Sequence, residues 1–314
     1  MFRSLFTANC RTIDFGCAEN REMAITASNL EMHVRKLATE IGERNVFRFS
    51  ALAEAANYIQ REWAQQGYEV VLQSYEAKGA PCVNLEITRS GRSRRQQIIL
   101  VGAHYDSVEG SPGADDNASG VAALLEISRR LTSVTTERTV RLVAFVNEEP
   151  PFFYWKDMGS MIYARAARRR GDDIRLMISL EMLGYYDQRP KSQHYPPFFR
   201  FFYPDRANFI AFVSNLPSRR QLRRTASFFR SHSDFPLEHL AALGIIPGIS
   251  WSDHLSFWRQ GYRALMVTDT SFYRYPYYHT PWDVPDRLDY ESLARVTEGL
   301  CAAIVALAND SANP

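Results

Sequence analysis

The segment IILVGAHYD, residues 98–106, joins a continuous apolar run to a histidine and an aspartate. An uninterrupted apolar run such as 98–103 is typical of a strand that is buried on both faces of a parallel sheet. Residues two apart at a strand end point the same way, so Asp106 can accept a hydrogen bond from the ring of His104. A carboxylate commonly orients a metal-bound histidine in this manner. Taken alone, the pair could equally be the polar residues of a surface turn.

Three more apolar runs, at residues 140–146, 176–180 and 264–268, resemble the first. Apolar residues recur at helical spacing at residues 121–131, between the first two runs, and at residues 293–307, after the last run. Alternating strands and helices predict an α/β fold, a three-layer sandwich with a mostly parallel mixed sheet. Two helices (30–41 and about 50–66) and two strands (68–75 and 82–89) are predicted upstream. We expect residues 1–28 to be an N-terminal arm and residues 29–310 to be a single domain.

The composition favours neither nucleic acid nor a membrane as a partner. The chain has 314 residues and a net charge of only +2, so no strong field attracts polyanions. Two arginine clusters, at 168–170 and 219–224, are expected to be solvated helix faces. No apolar run approaches the ~18 residues of a membrane span. The first residues lack a signal-peptide core, so we expect a cytoplasmic protein, or an exported one if the start is truncated.

The four cysteines do not form a metal-binding or redox motif. Cys10, Cys17, Cys82 and Cys301 are scattered, and no C-x-x-C pair is present. A Cys10–Cys17 disulfide is conceivable in an exported protein, but free thiols are favoured. The sequence gives no indication of the oligomeric state.

Acidic and histidine residues follow each of the apolar runs. Glu148-Glu149 comes after the second, Glu181 directly after the third, and His279 beyond the fourth. Asp115-Asp116 lies between the first strand and the next helix. Ligands of open α/β sheets bind outside the carboxyl ends of the strands, where such segments converge. Each residue has a simpler explanation, helix capping for the aspartates and a solvated edge for the glutamates, but the set predicts a metal-dependent hydrolase.

Seven motifs together resemble the M28 family of zinc peptidases, which includes aminopeptidases and, more distantly, glutaminyl cyclases. They are GAHYDS, GADDNASG, FVNEE, MGS, SLEMLGYY, SDHLSFW and YYHTPWD, in the family's order over about residues 30–308. The resemblance implies a phosphorylase/hydrolase-like sandwich, two zinc ions and peptide substrates with a free N-terminus. It thereby implies an aminopeptidase that uses a metal-activated water.

The resemblance also implies a role for each matching residue. Glu148 matches the general base, and Tyr278 stands where some members place a tyrosine near the developing oxyanion. Asp106 would orient His104, and Asp253-His254 would support the site. The implied metal ligands are His104, Asp116 as the bridge, Glu149, Glu181 and His279.

One ligand position departs from the family pattern. Typical aminopeptidases of the family have an aspartate where this chain has Glu181, which is one methylene longer but can still bind zinc. This departure keeps a one-zinc glutaminyl cyclase open as an alternative. A catalytically inactive binding homologue is a second alternative, although every implied ligand position carries a residue that can bind metal.

Overall fold

The structure of the protein, a computed structural model, describes residues 23–312. Its centre is one eight-stranded mixed sheet, which confirms the predicted α/β sandwich. Residues 1–22, including most of the predicted arm and the Cys10–Cys17 pair, lie outside the described residues. The first helix begins at Ala27, and Ile25 before it already packs in the core.

The sheet has the strand order β1-β2-β4-β3-β5-β8-β6-β7. Neighbours β3/β4, β3/β5, β5/β8 and β6/β7 are parallel, whereas β1/β2, β2/β4 and β6/β8 are antiparallel. The four predicted apolar runs form β3, β4, β5 and β8, which are adjacent in the centre of the sheet. The strands are β1 Val71–Ala77, β2 Ala80–Arg89, β3 Arg94–His104, β4 Arg138–Phe145, β5 Asp173–Glu181, β6 Ile210–Asn215, β7 Leu237–Ala242 and β8 Ala264–Thr268.

Helices cover both faces of the sheet and complete the three layers. The helices are α1 Ala27–Arg35, α2 Phe49–Gln65, α3 Gly120–Leu131, α4 Gly159–Arg170, α5 Arg219–His232, α6 His254–Arg259 and α7 Tyr290–Asn309. The helices α1, α2, α3, α5 and α7 pack on one face through the largest apolar cluster, while α4 and α6 pack on the other. Of these, α6, β6 and β7 were not predicted from the sequence, and α4 and α5 were expected only as the helix faces that carry the arginine clusters.

Local chemistry explains where the predicted helices begin and end. The side chain of Thr26 accepts a hydrogen bond from the backbone of Asn29 and so caps α1. The predicted helix 30–41 is α-helical only to Arg35 and continues as the π-helical segment Lys36–Ile41. After α2, Gly67 adopts a φ of 86°, a left-handed conformation that suits glycine at the end of a helix.

Three smaller predictions can be compared with the structure. Both arginine clusters lie on helices and are mostly exposed, at the end of α4 and the start of α5, as expected. Cys82 and Cys301 are buried free thiols. Among the described residues, no helix is long and apolar enough to cross a membrane.

Candidate metal centre

The acidic and histidine residues of the predicted site meet at the carboxyl ends of the central strands. His104 is the last residue of β3 and Glu181 the last of β5. Glu148 and Glu149 follow β4, and His279 lies in the loop after β8. Asp116 belongs to a short π-helical turn, Ala114–Ser119, that leads into α3. All five of the implied metal ligands are therefore brought together.

The five implied ligands form two groups that share Asp116. In the first group, His104 Nε2 lies 3.3 Å from Asp116 Oδ1 and 3.5 Å from Glu181 Oε2. In the second, His279 Nε2 lies 3.2 Å from Asp116 Oδ2 and 3.3 Å from Glu149 Oε2. The two oxygens of Asp116 thus face different groups, which is the arrangement of a bridging carboxylate.

The spacing and the unused hydrogen-bonding atoms of these groups fit zinc. Tetrahedral ligands at ~2.0–2.1 Å from an ion are separated from one another by about 3.3 Å, close to the distances found here. The buried atoms His104 Nε2, His279 Nε2, Asp116 Oδ1 and Glu149 Oε1 have no hydrogen-bond partner among the described residues. Because unpaired buried carboxylates are costly, a cation would stabilise this cluster. The residues present therefore fit a pair of zinc ions.

Asp106 holds the backbone of the glutamate pair. Its two carboxylate oxygens accept hydrogen bonds from the backbone N–H groups of Glu148 and Glu149, each at 3.1 Å. The nearest acceptor to His104 Nδ1 is the backbone carbonyl of Asp106 at 3.2 Å, and the carboxylate lies 3.5 Å away. Asp106 therefore supports both the histidine and the neighbouring strand exit, a wider contact set than the sequence indicated.

A second buried aspartate, Asp283, holds the other acidic pair in the same way. Its carboxylate accepts from the backbone N–H of Asp115 at 2.8 Å and of Asp116 at 3.2 Å. The hydroxyl of Tyr275 donates to it at 2.8 Å. No role was predicted for Asp283 from the sequence, although this residue ends the motif YYHTPWD, four residues after His279. That position was the one available signal.

Arg44 is a supporting residue that no sequence signal indicated. Its fully buried guanidinium donates to the backbone carbonyls of Tyr105 at 2.6 Å, Pro112 at 2.5 Å and Gly113 at 2.8 Å. These bonds tie the strand exit that carries His104 to the segment that carries Asp116. Burial lowers the pKa of Arg44 to about 10.

Glu148 lies beside the two groups but belongs to neither. Its nearer carboxylate oxygen is 4.0 Å from His104 Nε2. Burial raises the pKa of Glu148 well above its ordinary value, and burial also raises the pKa of Glu149, to about 7. A buried carboxylate that lies beside both ligand groups and belongs to neither is placed to accept and release a proton.

Tyr278 and the Ser-Asp-His segment border the cluster. The Tyr278 ring stacks on the His279 ring at 3.7 Å, and burial raises the pKa of its hydroxyl. Burial raises the pKa of Asp253 to about 7, and it lowers the pKa of His254 to about 4. His254 is fixed through its ring nitrogen Nε2, 2.9 Å from the carbonyl of Ile249. No atom of Asp253 or His254 belongs to either ligand group among the described residues.

The backbone beside the cluster is locally strained. Asn147, Met182 and His279 have φ values of 61°, 50° and 57°, in the left-handed region that side chains other than glycine rarely adopt. Asn147 directly precedes the glutamate pair, and Met182 directly follows Glu181. Such conformations concentrate at functional sites, because the surrounding structure must hold them in place.

A cavity of about 390 Å³ opens over the cluster and continues along the sheet. Asp116, Glu148, Glu149 and Glu181 line it at the cluster. The other lining residues are largely aromatic and aliphatic, from the loops around Phe153, Tyr195 and Phe272 and from the strands β6, β7 and β8. The cluster is thus accessible to a molecule with a sizeable apolar part.

Relatives of this chain share its sequence or its fold over most of its length. Uncharacterized protein YfbL of Escherichia coli is 40% identical over 280 residues, covering 86% of this chain and 85% of that protein. BSAP, a zinc aminopeptidase from Bacillus subtilis, has a structure with a TM-score of 0.70 at 17% identity, covering 92% of this chain and 97% of that one. The structure of a Bacteroides thetaiotaomicron glutaminyl cyclase bound to N-acetylhistamine has a TM-score of 0.69 at 19% identity. It covers 90% of this chain and 98% of that one.

These two solved structures share the fold of this chain and so do not separate a peptidase from a cyclase. The sequence profile of peptidase family M28 matches residues 84–304, which carry the whole of the cluster described above. This match and the similarity to YfbL extend over most of the chain. The chain belongs to peptidase family M28.

Proposed function

We propose that this protein is a zinc-dependent aminopeptidase that removes N-terminal residues from peptides. The observation that carries the proposal is the pair of ligand groups that share Asp116, with Glu148 beside them and outside both. A carboxylate whose two oxygens face two ligand groups can hold a pair of ions together. We infer that His104 and Glu181 complete one zinc site and that Glu149 and His279 complete the other.

The residues around the proposed zinc pair can perform peptide hydrolysis. Zinc at such a site supplies a water of lowered pKa and a polarised carbonyl. Glu148 would take the proton of the attacking water and pass it to the leaving amine. The hydroxyl of Tyr278 would donate to the developing oxyanion. Asp106 would keep His104 and the backbone of Glu148 in position.

The preference for chain ends follows from the acidic residues at the cluster. The free α-amine of a peptide is a cation or a metal ligand, and it would be held by the carboxylates of Glu149 and Glu181, which line the cavity. An internal peptide bond offers no such amine. We therefore infer exopeptidase action rather than cleavage within chains.

A glutaminyl cyclase with a single zinc is the second candidate, since that fold is shared. The first ligand group argues against it, because His104, Asp116 and Glu181 have donor atoms close enough to hold an ion of their own. An inactive binding homologue is disfavoured by the same completeness.

The test is a panel of aminoacyl coumarin amides, each with an N-acetylated counterpart, assayed with and without chelator. We expect hydrolysis of the free amines only, loss of activity on chelation and two zinc ions per chain by elemental analysis. A peptide with N-terminal glutamine is included in the panel. Cyclisation of that peptide with one zinc per chain, and no hydrolysis elsewhere, would refute the proposal in favour of the cyclase.

A further inference from the structure

One acidic residue in the cavity, Glu238, lies far from the metal centre. It belongs to β7, whereas the other carboxylates that line the cavity, those of Asp116, Glu148, Glu149 and Glu181, belong to the metal centre. None of the described lining residues is a lysine or an arginine. The far wall of the cavity therefore presents a single negative charge among aromatic and aliphatic side chains.

The strand register places Glu238 in line with the metal centre. Glu181 pairs with Thr268, Thr268 with Ala211, and Ala211 with Glu238. Paired residues of neighbouring strands project to the same face of a sheet. Neighbouring strands lie ~4.8 Å apart, so three steps separate the two glutamates by about 14 Å along one row. Ala211 between them is small and leaves space over the sheet.

The Glu238 carboxylate makes no hydrogen bond and no ion pair within residues 23–312, although the side chain is half-buried. The charge of Arg230 on the adjacent helix acts on the Glu238 carboxylate. The Arg230 guanidinium itself donates to the carbonyl of Leu237 and lies near the ring of His239, on the opposite face of the strand. The carboxylate is thus available to a ligand in the cavity.

Aromatic rings flank the approach to Glu238. The rings of Tyr195 and Tyr203 stack at 5.9 Å, and those of Phe199 and Tyr203 at 6.3 Å. The hydroxyl of Tyr195 donates to the carbonyl of Pro204, which holds this loop together. Such surfaces bind the methylene stem of a lysine or arginine and tolerate a cation nearby.

We propose that the cavity selects N-terminal lysine or arginine, with the side-chain cation bound by Glu238. The inference rests on the proposed aminopeptidase function, because it takes the α-amine to lie at the metal centre. An extended lysine spans ~7 Å from its α-amine to its ε-ammonium. Contacts of about 3 Å at each end, to Glu181 and to Glu238, bring the total to about 13 Å, near the 14 Å of the row. A leucine side chain ends well short of Glu238.

A second explanation for a charge at position 238 concerns the edge of the sheet rather than the substrate. β7 is the last strand of the sheet, and inward-pointing charges on edge strands prevent pairing with other chains. A charge with that purpose alone would leave substrate preference unchanged when it is neutralised. The two explanations therefore differ in a measurable way.

The experiment compares arginyl, citrullyl and leucyl coumarin amides on the zinc-loaded protein. Citrulline has nearly the shape of arginine without the charge, so the ratio of kcat/KM for arginyl to citrullyl substrate isolates the charge. We expect this ratio to be at least about tenfold in the wild type, as for a hydrogen-bonded ion pair, and to approach unity in Glu238→Gln. Glu76→Gln, on an exposed strand at the opposite side of the sheet, is the matched control and should keep the wild-type ratio.

Calorimetric binding of arginine amide and citrulline amide to the same proteins separates the inference from the proposed function. Equal binding and equal hydrolysis of the two side chains by the wild type would overturn the inference and leave the aminopeptidase standing. Tighter binding of arginine amide that disappears in Glu238→Gln, without hydrolysis of any substrate, would keep the cation site and overturn the aminopeptidase. A ratio lost equally in Glu76→Gln would also overturn the inference.

Discussion

Replacing Asp106 with asparagine tests how the metal centre is supported. The side chain is buried, and both of its oxygens accept backbone hydrogen bonds, from Glu148 and Glu149. An asparagine of the same shape keeps one acceptor and turns an NH₂ group toward the other backbone N–H. The substitution therefore breaks one of the two bonds without opening a cavity.

The size of the effect follows from those two contacts. A hydrogen bond to a charged group contributes about 1.5–3 kcal/mol, and a buried N–H left without an acceptor costs a further 1–3 kcal/mol or so. We expect Asp106→Asn to lower the free energy of unfolding of the metal-free protein by about 3–5 kcal/mol. Because the carboxylate also lies 3.5 Å from His104 Nδ1, zinc affinity should fall by about 10–100-fold.

Two measurements separate these effects. Urea unfolding in the presence of chelator gives the stability without metal, and zinc titration against a competing chelator gives the affinity. Asp286→Asn is the control, because its carboxylate makes an exposed ion pair with Arg35 that should contribute about 1 kcal/mol or less. If Asp106→Asn lowers the free energy of unfolding no more than Asp286→Asn does, the backbone contacts of Asp106 do not stabilise the protein as argued. Complete loss of zinc would instead identify Asp106 as a ligand.

Four further substitutions test the proposed roles directly. Glu148→Gln should keep the wild-type zinc content while kcat for aminoacyl coumarin amides falls by about 10²–10⁴-fold; near wild-type turnover would exclude Glu148 as the base. His104→Ala and His279→Ala should each lose zinc by elemental analysis, since each removes the only imidazole of one ligand group; full zinc content in either would contradict the grouping. Glu181→Ala should bind one zinc per chain rather than two, and an unchanged stoichiometry would remove Glu181 from the ligands.

The centre of the sheet could be predicted because its strands are buried on both faces. β3, β4, β5 and β8 are continuous apolar runs, and a parallel sheet that is covered by helices produces that pattern. Once those strands are placed, residues at their carboxyl ends must converge, so the sequence alone groups His104, Glu149 and Glu181.

The far wall of the cavity could not be predicted because its strands do not show the pattern of a strand that is buried on both faces. β7, with the sequence LEHLAA, is a half-buried edge strand without an apolar run or regular alternation. Its neighbour β6 is short and follows a loop rich in phenylalanine, in which apolar residues do not mark a strand. The alignment of Glu238 with the metal centre therefore becomes apparent only from the pairing of β6 with both β7 and β8.

The supporting residues were missed because their partners are backbone groups. The bonds of Arg44 to carbonyls and of Asp283 to amides depend on where distant segments pass, and a backbone acceptor leaves no trace in the sequence. The predicted role of Asp106 was incomplete for the same reason, because it included only the contact with His104. Its contact with the Glu148 amide requires β3 and β4 to be neighbours, and the sequence does not state the strand order.

The longer side chain of Glu181 is compatible with a ligand role because hydrogen bonds restrict it. An added methylene gives a carboxylate more rotamers, which would weaken a metal site by making the ligand harder to order. Here the hydroxyl of Ser252 donates to Glu181 Oε2 at 2.6 Å, and Ser179 in turn lies 2.8 Å from the Ser252 hydroxyl. The same oxygen faces His104 Nε2 at 3.5 Å. Since both serines are fully buried, the carboxylate is held toward the first ligand group before any ion binds. That preorganisation offsets the extra flexibility, so the departure from aspartate is weak support for a one-zinc enzyme.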